Sequence, residues 1–112
     1  MIPLDADELH RLFDANFELG LLYHKDGRIV HTWSNGSGYQ AFRLYPWPST
    51  VVVTLHRVLW VMHHRIDIPE GMVIDHIDND RGWNAITNLQ VMTKWENNQK
   101  KLPYKKSNLN TC

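Results

Sequence analysis

The chain has 112 residues, 43% of them apolar, which bounds it to about one compact domain with a single modest core. Twelve basic and twelve acidic side chains cancel, so the overall charge lacks the pull toward nucleic acid of a strongly basic domain. The lone Cys112 excludes an internal disulfide framework and a multi-cysteine zinc site; any metal must be held by oxygen and imidazole, with no structural zinc.

No run of about 18 uncharged apolar residues is present, and the start "MIPLDADELH" lacks a basic-then-apolar signal layout. The expectation is a soluble intracellular protein. In "LDADELHRLFDANF", Leu4, Leu9, Leu12 and Phe13 fall at helical intervals, with Asp5 as N-cap and Glu8 three positions on. "GLLYHKDGRIVHTW" predicts two strands around the turn Lys25-Asp26-Gly27, and Asn35-Gly36-Ser37-Gly38 is a second connection. "YQAFRLYPWPSTVVVTL" continues as strand, with Pro46 and Pro48 marking a turn between Leu44 and Val51.

From Thr54 the period changes. Leu55, Val58, Leu59, Val61 and Met62 recur every three or four residues, predicting a buried helix over 54–65 at the centre of the core. It stops before Ile68-Pro69-Glu70-Gly71. "GMVIDH" and "NLQVMT" read as strands separated by the long loop "IDNDRGWNAIT". Thr93-Lys94-Trp95-Glu96 fits a capping box, so a last helix starts at Lys94 and carries Asn97. The fold class is therefore α+β: an N-terminal helix with a small antiparallel sheet (5–53), the core helix (54–65), a strand-loop-strand-helix unit (72–101) and a basic tail (102–112), in one domain over 1–112.

Charge is uneven along this order. Residues 1–50 carry four basic and six acidic side chains, whereas residues 94–112 carry five lysines against Glu96. Such a tail can meet phosphate or merely keep a chain end soluble.

His76 ends the first strand of the last unit, so it escapes strict alternation and shares a concave site with Asp75. The last helix can cross the hairpin and bring Asn97 to face Asp75. That gives two oxygen ligands for a hard divalent cation and leaves most coordination positions to water or phosphate. A neighbouring imidazole is suited to taking a proton from water at neutral pH.

Asp75-His76, then Asn88 of Asn88-Leu89 and Asn97 of Glu96-Asn97, twelve and nine residues further on, resemble the HNH endonuclease motif of the ββα-metal (His-Me finger) fold in its phage-type H-N-N form. His56-Arg57 at the head of the preceding helix, the proline-containing link Ile68–Gly71 and Gly38-Tyr39 are similar to the same family, homing-endonuclease-like members included. The resemblance is strong over 55–98 and weaker over the rest of 5–100. It implies that Asp75 and Asn97 hold one Mg²⁺, Mn²⁺ or other divalent ion per site, that His76 is the general base, and that Asn88 orients it. The implied reaction is hydrolysis of DNA phosphodiester bonds, leaving 5′-phosphate and 3′-hydroxyl ends, in the host cytoplasm if the chain is phage-encoded. One active site cuts one strand at a time, as a monomer or weak dimer.

The loop departs from the family. Ala85 stands where relatives carry arginine, and Arg81 is the substitute phosphate contact. DNA contacts are expected from Arg81, Trp83, Asn84, Lys94, Lys100 and Lys101, with Trp83 stacking on a base or covering the loop. His56 is expected to pack, satisfied, under the hairpin, and Arg57 to pair with Asp78 or Asp80. Met62-His63-His64 reads as a helix end favoured by the macrodipole, not a metal cluster. Trp60 and Trp95 are expected in the core. "KKSNLNTC" resembles the beginning of an added DNA-binding segment, and with few base-reading side chains low sequence specificity is expected. Two other readings stand beside the nuclease: a non-catalytic DNA-binding module on a degenerate HNH scaffold, and an interaction protein whose asparagines are only turn chemistry.

Overall fold

Asp5 caps the first helix as its sequence predicts: its carboxylate accepts from the Asp7 and Glu8 backbone N–H groups. The computed structural model describes residues 4–44 and 51–106, with side chains through Lys100. Helix α1 (Ala6–Leu12) ends where Phe13 turns extended and drops into the core, edge-on to Phe42 at 5.8 Å. Glu8 does not close the box; it pairs with Arg11 on the exposed side.

The expected pair of strands around Lys25-Asp26-Gly27 is corrected. Strand β2 (Leu21–His24) takes its strand partner from upstream, β1 (Phe13–Asn16); beyond the turn the chain pairs with β2 only through the Tyr23–Ile29 bridge and the flanking bonds from the His24 N–H to the Arg28 carbonyl and from the Val30 N–H to the Leu22 carbonyl, short of a second strand among the described residues. The reason is local. The Asn16 carbonyl and side-chain oxygen accept from the Gly20 and Leu19 N–H groups, and Gly20 adopts the left-handed φ of 70° that closes this tight turn.

Strands β3 (Trp33–Ser34), β4 (Gln40–Leu44) and β5 (Val51–Thr54) form an antiparallel sheet in that order. Leu44 opposes Val51, so the sheet brackets the segment with Pro46 and Pro48, which lies outside the described residues. Helix α2 (Leu55–His64) follows at once and ends on Arg65, held left-handed at φ 60°. It buries Val58, Leu59, Trp60, Val61 and Met62, each apolar side chain contributing roughly 1.5–3 kcal/mol. Leu4, Leu9, Phe13, Leu22, Phe42, Leu44, Val53, Ile74 and Leu89 close the same core around it. No helix among the described residues is long and apolar enough to cross a membrane.

The last unit is a hairpin of β6 (Met72–His76) and β7 (Leu89–Thr93), joined by a long loop with a 3₁₀ turn at Ile86–Asn88, and then α3 (Lys94–Lys106). The capping box forms reciprocally: Thr93 N–H donates to Glu96 Oε1 at 2.9 Å, and Glu96 N–H to Thr93 Oγ1 at 3.0 Å. Trp95 is corrected from core to surface, at 69% exposure. The face that α3 turns toward the hairpin is polar, carrying Asn97 and Lys100, so Trp95 points elsewhere.

Candidate active site

The hairpin loop is built on Asp78 and Asn88. Asn88 Nδ2 donates to Asp78 Oδ1 at 2.9 Å and to the Trp83 carbonyl at 2.9 Å, while its Oδ1 accepts from the Asp78 N–H. The Asp80 N–H also donates to Asp78 Oδ1. This bond and then the Asn88 amide hold the Asp78 carboxyl below its ordinary value. Asn88 therefore braces the loop, and the expectation that its side chain orients His76 is corrected.

Asn84 takes that place. Its Oδ1 accepts from His76 Nε2 at 2.8 Å, with both residues buried. With the proton on Nε2, Nδ1 carries the lone pair. Asn84 is thus also corrected as a DNA contact: only 3% of it is exposed. It reaches His76 because the β1–β2 turn supports it from behind. A β-carbon on Gly20 would stand 2.4 Å from the Asn84 carbonyl carbon and 2.5 Å from the Ala85 nitrogen, and the Ile86 N–H donates to the Phe17 carbonyl. Ala85, buried under this turn, does not face the solvent side where an arginine would meet phosphate.

A ring stack fixes the other side of His76. Tyr39 lies flat on His56 at 4.9 Å, and the His76 ring sits 4.9 Å from His56 and 5.9 Å from Tyr39. His56 is packed under the hairpin as expected, yet not fully satisfied: its ring bonds the Ile74 backbone, while Nδ1 has no partner among the described residues. Burial, then the nearby His76 and Arg57 charges, lower it from 6.5 to about 3, so it is neutral at physiological pH. The Arg57 pairing is corrected as well. No ion pair with Asp78 or Asp80 forms among the described residues; Asp67 is the acid nearest in effect, and burial lowers the guanidinium's value.

Asp75, His76, Asp78, Asn79, Arg81, Asn97, Lys100 and Tyr39 line one cavity of about 570 Å³. The structure thus brings Asp75, His76 and Asn97 together from β6 and α3. The bonds to Asp75 fall on Oδ2, from Gln90 Nε2 at 3.0 Å and Lys100 Nζ at 2.5 Å. Arg81 lies on the rim, its guanidinium 4.7 Å above the Tyr39 ring and bonded to the Ser37 carbonyl. Trp83 and Lys94 are exposed; the Lys101 side chain and residues 107–112 lie outside the described residues. His63 and His64 end α2 on the surface, away from this cavity, as a helix end should. Sequence reading missed Gly20, Tyr39 and Gln90 as supports; only Tyr39 carried a signal, through Gly38-Tyr39.

Residues 53–99 match the family model described as HNH endonuclease. Over these residues the chain is similar to HNH endonucleases. Among solved structures, the fold of the chain is similar to that of the HNH homing endonuclease I-HmuI in a study of its DNA binding and cleavage, with a TM-score of 0.71 and 23% identity over 99% of this chain. The chain spans about three-fifths of that protein, 62% of its length. No curated protein matches. The matched span includes His56, Arg57, Asp75, His76, Asn84, Asn88, Lys94 and Asn97, and leaves out Gly20, Tyr39 and Lys100.

The donor set can be tested against a divalent ion. Three or more His, Cys, Asp or Glu side chains do not converge anywhere among the described residues, which argues against a zinc-type cage. One carboxylate and one amide oxygen on a solvent-open cavity suit a hard ion that keeps most of its water. The Lys100 ammonium already compensates this carboxylate, so a dication held by Asp75 would share it with Lys100.

Proposed function

We propose that the protein is a divalent-metal-dependent DNA endonuclease that nicks one strand per active site. The observation that carries this reading is the anchored histidine: His76, fixed at Nε2 by Asn84, shares a cavity with Asp75 and Asn97. His76 Nδ1 takes a proton from a water whose oxygen bonds to phosphorus, and the P–O3′ bond breaks as the leaving oxygen is protonated by solvent. Asn84 keeps the ring's basic nitrogen directed and its tautomer fixed. Asp75 and Asn97 would hold one Mg²⁺ or Mn²⁺, which supplies electrostatic stabilisation for charge developing on the phosphate and leaving oxygen. Arg81 on the rim and Lys94 on the exposed start of α3 meet flanking phosphates, which carry no sequence information.

One contact favours a second reading, a DNA-gripping module that does not cut: Lys100 stands on the carboxylate that the metal would use. Supercoiled plasmid incubated with Mg²⁺ or Mn²⁺ separates the two. The nuclease converts it to open circle, and His76→Ala and Asp75→Ala do not. Absence of conversion across several metals, with DNA still retarded in a gel, would install the binding module instead.

A further inference from the structure

Lys100 makes contacts that a phosphate-seeking surface lysine does not. Its ammonium donates to Asp75 Oδ2 at 2.5 Å and to the His76 carbonyl at 2.9 Å, with the Ile77 carbonyl 3.4 Å away, so its three N–H groups are all aimed at the end of β6. The side chains of Lys100 and Asp75 are 23% and 12% exposed, whereas every other ion pair among the described residues has at least one partner above 50%. A lysine three residues after Asn97 lies on the same face of α3, so the helix presents a metal ligand and a fixed cation side by side. The charged groups on the cavity wall are Asp75 and Asp78 against Arg81 and Lys100, and these cancel.

We infer that Lys100 is the resident counter-ion of Asp75 and makes metal uptake depend on the arrival of DNA. The inference rests on the nuclease reading above. A dication entering a cavity of zero net charge must approach an ammonium held in a partly desolvated place, where screening by water is weak. A DNA phosphate adds one negative charge and further oxygen ligands, and it gives the Lys100 ammonium a second anionic acceptor. Metal and DNA then each raise the other's affinity by the same factor, as linkage requires. In the absence of metal, the same ammonium keeps Asp75 from being a buried, uncompensated charge beside Gln90.

The test is Mn²⁺ binding, followed calorimetrically on the full chain without DNA. Lys100→Met keeps the unbranched stem without its charge, and Lys100→Gln keeps a donor; circular dichroism establishes that each is folded. Either variant is expected to bind Mn²⁺ at least about tenfold tighter than wild type, because its cavity carries one net negative charge. Adding Asp75→Asn to either variant should abolish the gain. In a His76→Ala background, which leaves duplex intact, DNA should tighten Mn²⁺ binding to the Lys100 form by more than to the Lys100→Met form, after correction for Mn²⁺ taken up by DNA alone. Unchanged or weaker Mn²⁺ binding by both folded variants, with wild type still binding Mn²⁺ when DNA is present, would overturn this role alone and leave Lys100 as scaffold. No Mn²⁺ binding by any form, with or without DNA, would overturn both this role and the metal-dependent nuclease.

Discussion

Asn84 Oδ1 lies 2.8 Å from His76 Nε2, and this is the bond that fixes the ring of the proposed base. Asn84→Leu removes the acceptor at similar bulk, so activity on plasmid should fall about 10- to 100-fold, the usual cost of losing a ring-orienting partner. Asn84→Asp has a different signature. A carboxylate favours the imidazolium, so the acidic limb of the pH–rate profile should move to higher pH. Asn88→Ala, by contrast, should act on stability, since its side chain holds Asp78 and Trp83 and does not touch the imidazole. Wild-type pH dependence in Asn84→Asp would detach Asn84 from the base.

Gly20 ties the N-terminal hairpin to that asparagine. Its left-handed φ of 70° and a β-carbon 2.4 Å from the Asn84 backbone make any side chain costly, because backbone cannot step aside as a flexible side chain does. Gly20→Ala should destabilise by about 2–4 kcal/mol in urea denaturation, from strain and displacement combined. The surviving folded fraction should also nick more slowly, since the displaced segment carries Asn84. Gly27, which has open space around it, is the control: Gly27→Ala carries only the strain of its φ.

The site's outline was legible in sequence because its chemistry sits on short-range patterns. Thr93 and Glu96 announce the start of α3, and that start sets which turn carries Asn97. The strand ending at His76 likewise follows from the β-branched run before it. What was not legible depends on residues distant in sequence meeting in space. Asn84 and Asn88 are both loop asparagines, and only the packing of Gly20 against one of them decides which faces His76. Strand β1 was hidden for a related reason: Phe13 continues the helical spacing, but the core pocket beside Phe42 pulls it out of the helix. Trp95 was misplaced because the side of α3 facing the hairpin is polar, and apolar character alone does not reveal that.

Acid should destabilise the fold through His56. Its ordinary value is 6.5, and burial first, then neighbouring charge, lowers it to about 3 in the folded protein. Between those values the unfolded chain binds a proton that the folded protein refuses, so stability is complete above 6.5 and is lost as pH falls toward 3. The limiting slope is about 1.4 kcal/mol per pH unit for one such group. Burial lowers His64 too and acts with the same sign, so His64→Gln is the necessary background. In it, urea midpoints should fall steadily from pH 6.5 to 4.5, and His56→Phe should flatten that fall. A wild-type profile already level between pH 6.5 and 5 would mean that His56 is protonated as easily in the fold as out of it.

The capping box of α3 holds the proposed metal ligand in register. Thr93 Oγ1 accepts from the Glu96 N–H, and Glu96 Oε1 accepts from both the Thr93 N–H and its hydroxyl. Thr93→Ala should cost about 1 kcal/mol, the common value for losing an N-cap side chain. Glu96→Gln, which keeps an acceptor, should cost less. Helix α3 has a polar sequence and little apolar surface to anchor it, so the loss should be local fraying of its first turns more than global unfolding. Hydrogen exchange should then speed up at Asn97 and Asn98 in Thr93→Ala while the α2 amides remain protected. Mn²⁺ affinity measured with DNA should weaken in the same variant, because an amide on a fraying turn is no longer held beside Asp75. Uniformly faster exchange across α2 and α3 would instead assign Thr93 to the stability of the whole fold.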